Sequence, residues 1–342
     1  YRIKFKPEWK KEFPWITSSA RDTVEAIFNA MDHKLLEEDN PWLRCTSFGV
    51  DNTSVNIGSH NSLKTRIKIK NPSVHISGCN CHILHNAAQK ASEMFVDGTN
   101  FDVEELVIDL YYWFDKSTKR KNELQSFCIF CDISYKSLVK HITTRWLSLE
   151  IAVDRALKQL PGLISYFMSN DCAQAQFKRL KTALENPMAE VYLLFYQATL
   201  PAFTHANKFL QREEPMFHLL KAHLLHLYKS LLGKFVKPTE ISANLNNLSS
   251  IDYTDICNQV EDRELVIGFI TRQTVMKLFN EGSINKQSLS KFYKSVRQFF
   301  TSAMDYLIMW CPLGDEILDH AVWIDFERKL DVTFNSVEYF VG

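Results

Sequence analysis

The chain has 342 residues, of which 46% are hydrophobic and 13% aromatic, so it is long and apolar enough to build a substantial core. Forty basic residues balance forty acidic ones, which excludes a protein that coats nucleic acid through net charge alone, although a local basic patch stays compatible. Eight dispersed cysteines predict free thiols in a reducing compartment, and without a long apolar run we expect no transmembrane helix.

The N-terminal part of the chain divides into an aromatic-rich tail and one amphipathic helix. Aromatic side chains alternate with Lys and Glu in residues 1–18, which we interpret as a tail that packs on the body of the protein. Apolar residues then recur at three- and four-residue steps over residues 22–36, as in a helix with one buried face. Ser19 and Asp22 are the candidate caps, and Pro41 lies just beyond the predicted end of the helix.

A short apolar segment over residues 44–50 predicts a buried strand that ends on Asp51. The following Asn52-Thr53-Ser54 is typical of a turn that caps a helix. A carboxylate at the end of a core strand is held rigidly and exposed by the turn, so it is well placed for chemistry. The alternative, which the spacing alone favours, is that Asp51 only accepts hydrogen bonds within its own turn.

Residues 58–70 fit either a strand or a helix. Lys64, Arg66, Lys68 and Lys70 alternate with Thr65 and two isoleucines, which is the period of a strand. Four cations in seven residues are able to follow a phosphate backbone. A solvated charged face is the alternative interpretation.

A second short strand is predicted over residues 73–77, and nearly everything after it has the pattern of helices. Only 10 Gly and 10 Pro occur in the chain, so long stretches are free of helix breakers. The main predicted loop covers residues 237–255, which are polar and contain Pro238 and several Asn. Helices are predicted at residues 81–95, 101–115, 117–129, 147–159, 161–169, 172–184, 187–212, 215–235, 263–280, 286–310 and 315–320.

Three motifs resemble those of the hAT superfamily of DNA transposases, in the order and at the separations found there. Residues 49–58, Gly-Val-Asp-Asn-Thr-Ser-Val-Asn-Ile-Gly, resemble the segment around the middle catalytic aspartate. Cys79-Asn80-Cys81-His82 resembles the Cys-x-x-His motif, and Thr143-Thr144-Arg145-Trp146 resembles the Arg-Trp motif. The similarity runs from about Ser19 to the end and is greatest to transposase-derived members of the zinc-finger-protein-862-like kind.

The resemblance implies an α/β fold with predominantly helical content, in which a partial RNase H-like core is interrupted by a large all-α insertion domain. Residues 1–18 are then a tail that remains before a lost zinc finger, because no Cys precedes Cys45. Residues 19–132 form the partial core, residues 133–330 form the helical insertion, and residues 331–342 start the return to the core.

By the same resemblance, Asp51 is the second of three metal-binding carboxylates. RNase H-like transposases cut DNA with two divalent ions about 3.5–4 Å apart, and one carboxylate cannot hold both. No counterpart of the family's first Asp is recognisable near the N-terminus, and the position of its final Glu lies beyond Gly342. We therefore expect an incomplete Asp-Asp-Glu site in which Asp51 is vestigial. We also expect no cofactor, since Mg²⁺ or Mn²⁺ would bind only if the site is completed elsewhere.

Zinc is the alternative interpretation of the Cys/His-rich segment. Cys79, Cys81, His82 and His85 lie close together in sequence, and thiolate and imidazole are good zinc ligands. The usual second pair at finger spacing is missing, and the Cys-x-x-Cys of residues 128–131 replaces it only if the fold brings it near. A buried cysteine beside a hydrogen-bonded histidine is the ordinary outcome.

The resemblance also predicts where DNA binds. In the family the tryptophan of the Arg-Trp motif stacks on a displaced base, and such stacking is worth about 1–3 kcal/mol per base. The alternative is a core tryptophan beside an arginine ion pair. For residues 58–70 the resemblance favours a helix that directs Leu63 and Ile67 inward. The predicted DNA contacts are Cys79, His82, Arg145, Trp146, Lys64, Arg66 and Lys68.

Together these features predict a domesticated or degenerate hAT-type transposase that does not cleave DNA. It would retain contact with DNA or with proteins in the nucleus. The cytoplasm is the alternative localisation. Two alternatives stay open: an active metal-dependent transposase or nuclease whose other carboxylates lie outside this chain, and a pure protein-interaction scaffold. We expect no membrane partner, and no residue pattern points to a particular protein partner or oligomeric state.

Overall fold

A computed structural model describes residues 23–142, 147–214, 216–245, 247–325 and 333–341. These residues are mostly helical and contain a two-stranded parallel sheet, which confirms a predominantly helical α/β fold. Their contacts divide the chain into two compact units, one up to His82 and one from Ile83 onward. None of the helices described there has the length and apolar content to cross a membrane.

The first unit alternates short helices and strands, and its last residues begin a long helix that continues into the second unit. Its elements are α1 (Val24–Glu37), β1 (Ser47–Val50), α2 (Ser54–Ile57), α3 (Leu63–Lys70), β2 (His75–Gly78) and the start of α4 (Asn80–Thr99). The second unit continues with α5 (Val103–Asp115), α6 (Thr118–Phe130), α7 (Leu147–Ser169), α8 (Ala175–Glu185), α9 (Ala189–Leu210), α10 (Leu220–Leu232), α11 (Pro238–Ala243), α12 (Phe269–Asn280), α13 (Lys286–Trp310), α14 (Glu316–His320) and α15 (Phe334–Val341).

Helix α1 begins at a different cap from the one predicted. The side chain of Thr23 accepts a hydrogen bond from the amide of Ala26 at 3.2 Å, whereas Ser19 and Asp22 lie outside the described residues. The buried ring of Phe28 stacks on Trp42, with ring centroids 6.0 Å apart. Together they form the centre of the small core that α1 shares with the strands.

The ambiguous segment 58–70 contains a helix, α3, with the inward face that the resemblance favoured. Ser62 and Thr65 form a reciprocal capping box at its start, which satisfies amides that the helix itself leaves free. Leu63 and Ile67, four residues apart, are both buried in the core of the first unit. The alternation of cations in the sequence therefore does not reflect a strand, and these side chains lie on the outer faces of a helix.

The two strands are parallel, and α2 and α3 lie between them in the chain. The register pairs Ser47 with His75 and Val50 with Gly78. Along β1, exposed and half-buried residues alternate, so the strand is present but is less buried than predicted. Only one face of β1 packs on the core, as the period of two in a strand allows.

Helix α9 forms the centre of the second unit. Every residue from Val191 to Tyr196 is buried, so this stretch of the helix is covered by protein on all sides. The ring of Phe195 lies 5.1 Å from Phe95 of α4 and 5.3 Å from Phe299 of α13. Helices from early, middle and late parts of this unit thus meet at one aromatic cluster.

Two predictions of local structure are wrong. Residues 147–159 and 161–169 form one continuous helix, α7, with Pro161 inside it. Part of the predicted loop 237–255 is helix α11, because Pro238 occupies the first helical turn, where its missing N–H costs nothing. The segment expected to start the return to the core is helical at Phe334–Val341, and the return itself stays a prediction. The predicted division at residue 132 stays a prediction.

Candidate functional site

The carboxyl ends of β1 and β2 bring the first two motifs to one edge of the sheet. Because Val50 pairs with Gly78, the residues that follow, Asp51 and Cys79, leave the sheet at the same level. The side-chain amide of Asn52 donates to the backbone oxygen of Cys79 at 2.8 Å and fastens the two strand ends together. This edge is the candidate functional site.

Gly78 permits the close approach of the two strand ends. A Cβ added at this position would overlap the side-chain oxygen of Asn52. At Gly49, on the other strand, the nearest atom to an added Cβ is the Ser77 hydroxyl at 4.0 Å, an ordinary contact. Of these two strand glycines, only the one at the edge where the motifs meet is required by a close approach.

Asp51 is engaged within its own turn. Its Oδ1 accepts hydrogen bonds from the Thr53 amide at 3.0 Å, the Thr53 hydroxyl at 2.7 Å and the Asn56 side chain at 2.7 Å. These bonds, that of the Thr53 hydroxyl first, hold the pKa of Asp51 below its usual range, and attraction to His82 adds to the effect. Asp51 thus has the structural role of accepting hydrogen bonds within its own turn, and these bonds stabilise the carboxylate in its charged form.

The Cys-x-x-His motif forms a compact group of polar side chains at the start of α4. Hydrogen bonding from Cys81, followed by bonds from the amide and side chain of His82, lowers the pKa of Cys79 to about 5. The same contact with Cys79 raises the pKa of Cys81, and burial raises it further. Proximity therefore makes one thiol acidic and keeps its neighbour protonated.

The zinc interpretation of these residues gains no support from the geometry. Within the ranges given above, no three His, Cys, Asp or Glu side chains gather in a way that would hold a metal ion. The Sγ of Cys128 lies 3.3 Å from Gln159 Oε1, and that of Cys131 lies 3.3 Å from the Ser165 hydroxyl. Both thiols of the Cys-x-x-Cys segment are thus used in the packing of α6 on α7.

Three of the four cations on α3 have partners on the protein. Lys70 lies 3.1 Å from Asp32, Arg66 donates to Asn61 at 3.2 Å, and Lys68 donates to the backbone oxygen of Pro72 at 2.8 Å. The fourth cation, Lys64, is exposed. Local pairing reduces the charge that this helix offers to a phosphate backbone.

Arg145 and Trp146 lie outside the described residues, but the chain on both sides of them is anchored. The fully buried side chain of His141 contacts Ser148 at 2.8 Å and Glu104 of α5 at 2.9 Å. The amide of Ile142 also donates to the Ser148 hydroxyl, at 3.0 Å. Sequence analysis missed Glu104 and His141, since no spacing pattern links residues so far apart in the chain.

Comparison of this chain with protein-family models, curated protein sequences and solved structures gives no significant match.

Proposed function

We propose that this chain is a degenerate hAT-type transposase that contacts DNA in the nucleus without cutting it. The observation that carries the proposal is the meeting of Asp51 and the Cys79-x-x-His82 motif at one edge of a parallel sheet. The two motifs are separated by α2 and α3 in the chain, and their convergence is what an RNase H-like ancestor would require. In this proposal the sheet and α3 belong to a partial RNase H-like core, and the long helices form the insertion.

The way Asp51 is used supports the proposed absence of cleavage. Three donors occupy its Oδ1 and orient the carboxylate toward its own turn. Two-metal catalysis needs carboxylate oxygens that face a pair of cations about 3.5–4 Å apart. A carboxylate that closes a turn suits a structural remnant better than a metal bridge.

Contact with DNA is assigned to the Arg145-Trp146 segment, on the strength of its resemblance to the Arg-Trp motif. The described residues on either side of this segment are anchored by the bonds between His141, Ser148 and Glu104. A tryptophan that stacks on an unpaired base is expected to contribute about 1–3 kcal/mol. The expected ligand is therefore DNA with unpaired bases.

The test is fluorescence anisotropy with a labelled hairpin that carries unpaired end bases. Affinity should fall at least about tenfold between about 50 and 200 mM salt, because bound phosphates displace counterions. Trp146→Ala should weaken binding to the hairpin about fivefold or more, with little effect on a blunt duplex. Trp310→Ala, at a half-exposed tryptophan of α13, is the matched control. Equal losses from both variants would contradict the assignment.

A plasmid-nicking assay with Mg²⁺ or Mn²⁺ tests the claim that the chain does not cleave DNA. We expect no nicking by the wild-type chain. Nicking that disappears in Asp51→Ala would establish an active nuclease and overturn the proposal.

A protein-interaction scaffold is the second candidate. Large apolar side chains are exposed on the second unit: Phe130 is 83% exposed, Phe269 72% and Met309 72%. Such side chains mark a protein-binding surface where they join into one contiguous apolar patch. Failure to bind any DNA at low salt would favour this function over the first.

A further inference from the structure

The connection that follows α6, residues 133–142, has no regular secondary structure, yet side chains of the second unit hold it at both ends. Near its start the Gln159 nitrogen donates to the Ser134 backbone oxygen at 2.9 Å, and the Gln159 oxygen accepts from the Lys136 amide at 3.2 Å. Near its end the buried His141 makes the contacts described above. The connection, here called the basic segment, therefore presents its side chains in a preorganised arrangement.

The basic segment divides its side chains between the core and the solvent. Ile133, Tyr135 and Leu138 are partly buried and pack against the core of the second unit. Lys136 and Lys140 are exposed, and the ten residues of the segment include no Asp or Glu. No carboxylate of the described residues forms an ion pair with either of these two ammonium groups. Their charge is therefore available to an anionic ligand.

Other exposed lysines of the second unit are neutralised by neighbouring carboxylates. Lys158 of α7 lies 2.6 Å from Asp154, and Lys90 of α4 lies 2.6 Å from Glu93. Such pairing within one helix reduces the attraction that a lysine offers to a phosphate. The unpaired cations of the basic segment thus differ from these lysines in what they offer to a ligand.

An exposed aromatic ring accompanies one of the two cations. The side chain of Tyr112 in α5 is 49% exposed, and the ammonium of Lys140 lies 6.0 Å from the centroid of its ring. Proteins that bind single-stranded nucleic acid combine cations, which follow the phosphates, with exposed aromatic rings, on which the bases stack. The basic segment and Tyr112 bring both kinds of group together.

We propose that the basic segment and Tyr112 bind single-stranded DNA, with Lys136 and Lys140 each on a phosphate and Tyr112 against a base. This assignment rests on the proposed function, because the segment runs directly into Arg145-Trp146 in the sequence, and it adds the strand that flanks the unpaired base. The two lysines are four residues apart, so their Cα atoms are at most about 14 Å from each other. The contact therefore covers only a few nucleotides.

The first test measures binding of the intact chain to labelled oligo(dT) of about 12 nucleotides by fluorescence anisotropy at several salt concentrations. Lys136→Ala and Lys140→Ala should each reduce the slope of log affinity against log salt by about 0.7, because each variant removes one phosphate contact from a single strand. Lys90→Ala is the matched control, since Glu93 already pairs with that cation, and should keep the wild-type slope. An equal change in all three variants, or no change in any, would overturn the proposal.

Tyr112 should contribute to affinity without contributing to the salt dependence. Tyr112→Ala should weaken binding to oligo(dT) about fivefold or more at an unchanged slope, because stacking of a base displaces no counterions. Tyr112→Phe keeps the ring and should bind as the wild type does. Equal losses in the two variants would refute the stacking role of Tyr112.

A second measurement locates the contact without relying on Trp146. Lysines of the wild type and of Trp146→Ala are acetylated with and without saturating oligo(dT), and mass spectrometry reads the modified sites. We expect the DNA to protect Lys136 and Lys140 but not Lys90 in both proteins. Unprotected Lys136 and Lys140 in a chain whose hairpin binding depends on Trp146 would overturn this proposal alone.

The opposite result would separate the two proposals in the other direction. Protection of Lys136 and Lys140, together with wild-type hairpin binding by Trp146→Ala, would support the basic segment as a DNA contact and remove the stacking role of Trp146. A chain that binds neither the hairpin nor oligo(dT) at low salt would overturn both.

Discussion

The Nδ1 of His141 lies 2.8 Å from the hydroxyl of Ser148, so the chain is held together on either side of residues 143–146. The other ring nitrogen contacts Glu104 at 2.9 Å, and the imidazole itself is fully buried. One histidine thereby links α5 to the beginning of α7. A buried hydrogen-bond network of this kind stabilises the fold only while each polar side chain in it keeps its partner.

Replacement of this histidine should cost stability. His141→Ala leaves the partly buried Glu104 carboxylate without its partner, and we expect a loss of about 2–4 kcal/mol in the free energy of unfolding. Urea unfolding monitored by circular dichroism measures it. His33→Ala is the control, because His33 forms an exposed ion pair with Glu37 and should change stability by less than about 0.5 kcal/mol. Similar losses from both substitutions would contradict the role of His141.

The sheet edge predicts opposite effects for two glycines. Gly78→Ala pushes the new methyl group into Asn52 and breaks the bond from Asn52 to Cys79, at a cost of about 1–3 kcal/mol. Gly49→Ala meets only an ordinary contact and should be neutral or stabilising by up to about 1 kcal/mol. Hydrogen exchange of the peptides that cover both strands distinguishes the two. Faster exchange in Gly49→Ala than in Gly78→Ala would refute the close-approach argument.

Asp51 should make the first unit less stable in acid. A carboxyl whose folded pKa lies below the unfolded value, 3.8 here, stabilises the fold above that value. This contribution is lost as the pH falls through the folded pKa. Asp51→Asn should therefore destabilise the fold at pH 7, by no more than about 1 kcal/mol because the carboxylate is exposed.

The measurement compares Asp51→Asn with the wild type by hydrogen exchange of residues 47–57 from about pH 7 down to about pH 3, after correction for the intrinsic exchange rate. The difference between the two proteins should shrink as the pH falls. Thr53→Val, which removes the hydroxyl donor alone, should produce a smaller change in the same direction. A difference that is constant across the pH range would show that the carboxylate charge is not what matters.

Gln159 is fully buried and holds three groups from the end of α6 and the segment after it. Its oxygen accepts from the Cys128 thiol and the Lys136 amide, and its nitrogen donates to the Ser134 backbone oxygen at 2.9 Å. Gln159→Leu leaves these groups unpaired and should cost about 2–4 kcal/mol in urea unfolding. Gln125→Leu, on the exposed face of α6, should change stability by less than about 0.5 kcal/mol. Comparable losses would disprove the bridging role of Gln159.

The sequence predicted long helices well where periodicity and end signals agree. The bounds predicted for α13 match those observed, because Asn285 caps its start and Cys311-Pro312 follows its end. The helix end predicted at Pro161 is wrong: a proline lacks one helical hydrogen bond, but packing of α7 on α6 and α9 keeps the helix continuous. Sequence rules that consider only neighbouring residues do not include this stabilisation of the helix by tertiary packing.

At the candidate site, the sequence predicted the turn chemistry of Asp51 as one of two roles, because polar residues after a strand act locally. The bond from Asn52 to Cys79 joins residues that are near only once the strands pair in register. The contact between His141 and Glu104 depends likewise on the packing of distant segments. Such contacts leave no periodic trace in the sequence.

The complete burial of residues 191–196 in α9 has a consequence for any attempt to trim the protein. A shortened version that stops before α13 would place the rings of Phe95 and Phe195 against water, since Phe299 covers them both. During synthesis the same apolar surface stays open until that late helix has left the ribosome, and exposed apolar surface of this kind favours aggregation.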